Sequence, residues 1–242
     1  MVRGFTAAAV TACLVALSSL FATPASAQMS GISNGWAGYA DTGETFTSVS
    51  ATWVQPALKC KPKTTLIFQA GFMVGLDGWE AGNEEMAGVQ PTCAKGAATY
   101  QTLWEMPQGI GLGASMDAGD QITASVAWNG TAFVLSLTDA ENERASFSVT
   151  ESCFQNVKCP RASAEVAATD SRSGAVPPSY RLANFGAMKA RNISVSDAAA
   201  TGGIAAFDYT AVTMVGSGDV VKARPAPLGA AGGFNVRWYA AD

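Results

Sequence analysis

The 242-residue chain reads as an all-β protein, a sandwich of two bent antiparallel sheets, on three observations. Apolar and polar residues alternate with period two over many stretches, the spacing that turns one side of a strand to a core and the other away from it. Helical periodicity is nearly absent. Ten or more such strands, separated by turn signals, bury their apolar faces most economically sheet against sheet.

Taken in order, the chain opens with a segment that is not part of the sandwich. Arg3 gives a short basic start, Phe5 to Ala22 is mostly apolar, and Ala25-Ser26-Ala27 is a small-x-small cleavage signal, so residues 1–27 read as a secretory signal peptide. Residues 28–242 read as one domain. No later stretch approaches the ~20 apolar residues of a membrane helix, so the mature protein is expected to be secreted, off the membrane and monomeric. The stretch 46–55 places Val49, Ala51 and Trp53 on one face and Ser48, Ser50 and Thr52 on the other. Strands follow at 65–75 and 99–106. Ile122, Ala124, Val126 and Trp128 alternate with polar residues, Asn129-Gly130 turns the chain, and Phe133, Leu135 and Leu137 return. After a turn at Asp139 to Arg144, Phe147 and Val149 extend the meander. Further strands are expected at 162–169, 185–195, 204–215 and 233–240, with surface loops at 170–180 and 222–232.

Composition narrows the chemistry. The chain has no histidine, which removes Ser-His-Asp and Cys-His hydrolysis and the usual zinc sites. Carboxylates and amides are left to act, and carboxylates near their unperturbed pKa of ~4 work most naturally in acid. The formal charge is −4, or −5 once Arg3 is removed, and no basic cluster interleaves with aromatics, so nucleic acid is not an expected partner. Beyond Cys13 in the leader, Cys60, Cys93, Cys153 and Cys159 remain, an even number that points to two disulfides in an exported chain. Cys153 and Cys159 are near enough in sequence to close a small loop, which leaves Cys60 with Cys93. No CxxC pair supports zinc.

Four polar residues stand out against this background. On the strand Ser163-Ala-Glu-Val-Ala-Ala-Thr169, alternation sends Ala164, Val166 and Ala168 to the core and sets Glu165 among small residues on the other face. Gln90 shares a face with Thr92, and its amide can donate to an oxyanion or accept from water at any pH. Glu105 faces one side of its strand and Trp104 the other. Asp77, in Gly75-Leu-Asp-Gly78, has the setting of a turn former. Taken singly, each has a plain alternative: a solvated Glu, a surface Gln before proline, an Asx-turn.

Their order along the chain resembles the glutamic peptidase (eqolisin) family. The segments are Asn34-Gly-Trp-Ala-Gly-Tyr39, Val74-Gly-Leu-Asp-Gly78, Val89-Gln-Pro-Thr92, Tyr100 to Glu105 and Ser163-Ala-Glu-Val166, followed by Ala183-Asn-Phe-Gly186. The resemblance implies a concanavalin A-like sandwich with about seven strands in each sheet, and a secreted acid endopeptidase acting on protein or peptide with no metal or organic cofactor. It assigns the catalytic dyad to Glu165 and Gln90, a buried supporting role to Asp77, and substrate contact or support to Glu105, Trp104 and Trp36. Phe72-Met73, Leu103 and Met106 stand where the family tends to have aromatics, so substrate preference departs from the family's. Two rivals share the architecture: a glycan-binding or glycan-cleaving sandwich, and a catalytically inactive relative kept as a binding module.

Overall fold

The computed structural model describes Met1 and residues 28–62, 64–79, 83–170 and 180–242. The expected signal peptide, Met1 apart, and most of the expected loop at 170–180 lie outside the described residues. The strands are β1 (Gln28–Ser33), β2 (Trp36–Thr42), β3 (Ser48–Val54), β4 (Ile67–Gln69), β5 (Gly71–Leu76), β6 (Glu85–Ala94), β7 (Ala97–Met106), β8 (Gly109–Ser115), β9 (Gln121–Trp128), β10 (Phe133–Asp139), β11 (Phe147–Glu151), β12 (Ser163–Thr169), β13 (Tyr180–Leu182), β14 (Ala187–Ser196), β15 (Thr201–Gly202), β16 (Asp208–Val215), β17 (Val221–Pro225) and β18 (Phe234–Trp238).

Backbone pairing runs β1–β16–β2–β12–β5–β6–β7–β8 through the first sheet. The second runs β14–β3–β9–β10–β11. All these pairs are antiparallel except β1 with β16. β14 belongs to both: Ala187–Ala190 pair with β18, and the register shift between Arg191 and Ser194 marks where the strand turns to follow β3. The expected all-β sandwich is what the chain forms.

One apolar cluster fills the space between the sheets. The residues that alternation turned inward, Val49, Ala51 and Trp53 on β3, Ile122, Ala124 and Val126 on β9, and Phe133, Leu135 and Leu137 on β10, all lie in it. The expected disulfides Cys60–Cys93 and Cys153–Cys159 both form. The turn at Asn129 is a four-residue loop, held by Asn129 Oδ1, which accepts from the backbone N–H groups of Thr131 and Ala132.

The departures have physical causes. β2 is buried along nearly its whole length on both faces, so it shows no alternation to mark it as a strand. The stretch 65–75 divides at Ala70, which keeps the register with β6 by donating to the carbonyl of Pro91, but the proline has no N–H to return. Residues expected to be loop at 222–232 begin instead inside β17, where Lys222 points inward at 1% exposure and is ion-paired with Asp170. An inward lysine hides the strand from a hydrophobicity pattern. Strand 204–215 starts later than expected, because Ile204–Ala206 form a 3-10 turn.

Candidate active site

The face of the first sheet that looks away from the main core carries the candidate residues. On β12, Ala164, Val166 and Ala168 enter the core cluster, so Ser163, Glu165 and Ala167 lie on the opposite face. Carried across the sheet by register, Ala40, Glu165, Gly75, Met86 and Glu105 form one row on that face. The next row holds Gly38, Ala167, Met73, Gly88 and Leu103. A side chain on Gly38 or Gly88 would fall on the carbonyl oxygen of Val166 or Phe72, so glycine is required where these strands draw together. Met73, Met86 and Leu103 form a small buried apolar cluster of their own.

Glu165 is not a solvated sheet residue. It is 1% exposed, and Oε1 accepts a 3.0 Å hydrogen bond from the backbone N–H of Trp79. Oε2 has no hydrogen-bond partner among the described residues. A Cβ placed on Gly78 would sit 2.9 Å from Met86 Cε and 3.3 Å from Glu165 Oε2, so the thioether and the free oxygen border the same small space. Burial pushes the Glu165 carboxyl up to about 8; hydrogen bonds from Ser163, Gly78 and Trp79 oppose the rise, and the charge of Asp77 adds to it. In acid this group therefore holds a proton.

Asp77 is the clamp that fixes the strand entry. At a left-handed φ of 67° just past β5, its carboxylate accepts from Arg161 N at 2.7 Å and from Ala162 N at 2.6 Å. Its own N–H donates to the carbonyl of Ser163. The Asx-turn alternative is thus replaced by a bridge to a segment more than eighty residues away. Near it lies Glu85, fully buried and pushed up to about 9, by burial first and then by the charge of Asp77, with Oε2 lacking a hydrogen-bond partner among the described residues. Burial raises Asp77 as well, against the pull of its hydrogen bonds.

Trp36 acts at one remove. Its ring meets Trp79 edge-on with centroids 5.5 Å apart, and Trp79 supplies the N–H that holds Glu165. Glu105 is half-buried and pushed up to about 7, by burial and then by Glu84. It shares the row of Glu165, but β5 and β6 lie between them. Three strand spacings are about 14 Å, with Met86 intervening, unlike the carboxyl pair about 5 Å apart of a retaining glycosidase.

Two expectations need correction. Trp104 lies on the core side of β7, opposite Glu105, and tilts against Phe147 with centroids 5.2 Å apart, so it braces the sandwich and takes no part in the site face. Gln90 is on the right face and in the wrong row. It pairs with Gln101, four residues along β6 from Met86, and at ~3.3 Å per residue that is about 13 Å from the row of Glu165. No hydrogen bond joins Gln90 to Glu165 among the described residues. The position on β6 that meets Glu165 belongs to Met86.

Sequence reasoning overlooked Met86, Trp79, Glu85 and Asp41. Trp79 directly follows Asp77-Gly78, where a turn aims successive N–H groups the same way. Glu85 and Asp41 are betrayed by alternation, since each extends an inward series, Ala87 and Val89 on β6 and Ala37 and Tyr39 on β2. Asp41 is fully buried with neither carboxylate oxygen hydrogen-bonded among the described residues, and burial, with Glu165, pushes it up to about 8. For a metal, Glu85, Cys153 and Cys159 approach one another, but both sulfurs are committed to a disulfide.

Comparison with known proteins agrees with this fold. The model of the peptidase A4 family matches residues 34–224. The fold is similar to a crystal structure of scytalido-glutamic peptidase with a transition state analog inhibitor, with a TM-score of 0.71, 18% identity, and coverage of 85% of this chain and 98% of that one. It is similar to SCP-B, a member of the eqolisin family in complex with the tripeptide Ala-Ile-His, with a TM-score of 0.70, 18% identity and the same coverage of 85% and 98%. Aspergilloglutamic peptidase from Aspergillus niger gives a TM-score of 0.59 at 20% identity over 71% of this chain and 99% of that one. No curated protein matches the chain in sequence.

Proposed function

The chain belongs to the peptidase A4 family, and from that premise we propose that it is a secreted glutamic endopeptidase whose proton carrier is Glu165. The observation that carries the proposal is the division of labour within one carboxyl group. Oε1 is fixed by the N–H of Trp79, and Oε2 is buried without a hydrogen-bond partner among the described residues, close to Gly78 and Met86. A group held on one oxygen and free on the other is oriented for proton transfer.

With its carboxyl raised to about 8, Glu165 enters the reaction neutral in acid. The neutral acid donates its proton to the peptide oxygen as water adds to the carbonyl carbon, and the carboxylate so formed takes a proton from that water. The regained proton then passes to the leaving nitrogen as the C–N bond breaks, and the carboxylate takes a hydroxyl proton from the collapsing diol, which releases the carboxylic acid and the amine and returns Glu165 to its neutral starting state. Asp77 holds the entry to β12, and through it Glu165, in position. Gln90, half-buried beside Gln101, is proposed to bind the substrate backbone away from the scissile bond, and Glu105 to contact it at the other end of the catalytic row.

A second reading is a peptide-binding relative with little turnover. It is favoured by Met86, which puts a thioether where an amide would have to stand to share a water with Glu165. Release of peptides from denatured protein, followed from pH 3 to 9, separates the two. The peptidase reading expects turnover that Glu165→Gln reduces by about 10² to 10⁴ while the circular dichroism spectrum is unchanged. Peptide binding with no hydrolysis at any pH would establish the second reading instead.

A further inference from the structure

At one end of the central strands of the second sheet, remote from Glu165 in the strand order, three carboxylates converge where β9 begins and β10 ends. They are Asp120, Asp139 and Glu141, and one oxygen from each lies within 4.8 Å of the others. Each side chain is already held by backbone donors. Asp120 Oδ2 accepts from Asp117 N at 3.0 Å, Asp139 Oδ1 from Glu141 N at 3.0 Å and Asn142 N at 2.9 Å, and Glu141 Oε2 from Gln121 N at 2.6 Å. Hydrogen bonding of this kind fixes the carboxylates without neutralising them.

The second observation concerns the far oxygen of Asp139. The residue is 3% exposed, and Oδ2 has no hydrogen-bond partner among the described residues. It lies in a group whose other members are carboxylates, and the charge and contact of Asp120 bear directly on Asp139. Among the described residues no lysine or arginine forms an ion pair with any of the three. A buried carboxylate that has one oxygen without a partner and clusters with two further carboxylates is stable only with a cation or a proton among them.

We propose that Asp120, Asp139 and Glu141 bind a calcium ion, with water completing the shell. Calcium takes oxygen ligands at about 2.3–2.6 Å, so oxygens on opposite sides of one ion stand up to about 5 Å apart, and three oxygens that all lie within 4.8 Å of one another can share one ion. Magnesium demands near-ideal octahedral geometry and keeps most of its water, usually binding through one or two carboxylates, so three protein carboxylates fixed by backbone donors suit calcium's more flexible shell better. The ion ties the entry of β9 to the turn after β10. Glu141 already bonds Gln121 N there, and Ala140 N donates to Gln121 O, so calcium closes a junction that the backbone has begun.

The test does not depend on peptidase activity. The secreted chain, freed of metal with EDTA and dialysed, is titrated with CaCl₂ at pH 7 by isothermal calorimetry, and its thermal unfolding is followed with and without the ion. Expected are one saturable site, with Kd on the order of 10⁻⁴ M as in extracellular calcium modules, and an unfolding midpoint raised by several degrees in excess calcium. Asp139→Asn should weaken binding at least 10-fold. Since a change at that buried position can unsettle the fold, Glu141→Gln, at an exposed side chain, should weaken it as well. No heat and no shift at pH 7 would mean that a shared proton, not an ion, neutralises Asp139 and would overturn the proposal. Unchanged affinity in both variants would place the calcium elsewhere and overturn it too, and equal affinity for magnesium would overturn the choice of ion.

Discussion

The two ends of the site face are built from the same strands with the same alternation, and they are chemically opposite. At the Glu165 end the carboxyl is dry, held on one oxygen and raised to about 8. At the Gln90 end Gln90 and Gln101 stand opposite each other on β6 and β7, Gln101 Nε2 donates to Gly113 O at 3.1 Å, and Gln69 Nε2 donates to Thr92 Oγ1 at 3.0 Å, with all four side chains half-buried. One end is arranged to move a proton and the other to hold polar groups. Period two decides which face a residue occupies; register decides which neighbours it meets there.

The largest way to probe the contrast is pH, because the buried carboxyls gather at one end. Asp41 and Glu165 are raised to about 8 and Glu85 to about 9. A carboxyl whose folded pKa lies above its unfolded value stabilises the fold fully below the unfolded value, near ~4, and loses that contribution as pH rises through the folded one. The unfolding midpoint should therefore be highest at or below pH 4 and fall steadily toward pH 9. A midpoint that rises between pH 4 and 8 would show these groups to be ionised in the fold.

Next in size is Asp77→Ala. It leaves the N–H groups of Arg161 and Ala162 without their acceptor, at about 1–3 kcal/mol for each buried donor that stays unsatisfied. Urea unfolding measures the loss, and Glu85→Gln, which keeps the size of the side chain and leaves both hydrogen bonds to Asp77 in place, should cost far less. A loss no larger than that of Glu85→Gln would remove the clamp from the account.

Smaller again is Met86→Gln, which places an amide in the row of Glu165. One positioned oxyanion donor is worth about 10² to 10³ in kcat, so even an imperfectly aimed amide should raise turnover on the order of 10-fold. An unchanged or lower kcat in a folded Met86→Gln protein would mean that the thioether is already suited to this row.

Much of the sandwich was legible in the sequence because its outer strands bury one face only. Val49, Ala51 and Trp53, or Phe133, Leu135 and Leu137, announce their side by alternation. The strands nearest the site were harder to read: β2 is buried on both faces, and β17 turns a lysine inward. Glu165 was legible through its small neighbours and the order of motifs around it. Gln90 was placed on its face correctly, yet its row depends on how β5 pairs with β6. The loop between those strands sets that pairing, and no periodicity in either strand reveals its length. Glu85 and Asp41 were missed because a carboxyl in an inward series looks like an exception until its protonation is considered.

The claim that the row of Glu165, and not the whole face, performs the chemistry is tested most directly by comparing kcat for Glu165→Gln and Gln90→Ala on one peptide substrate, with both proteins shown to be folded. The account predicts a fall of about 10² to 10⁴ for Glu165→Gln. For Gln90→Ala it predicts a kcat within about 10-fold of wild type, with the change mainly in KM. A Gln90→Ala protein that loses the 10² to 10³ expected of an oxyanion donor, or a folded Glu165→Gln protein with near-normal kcat, would contradict it.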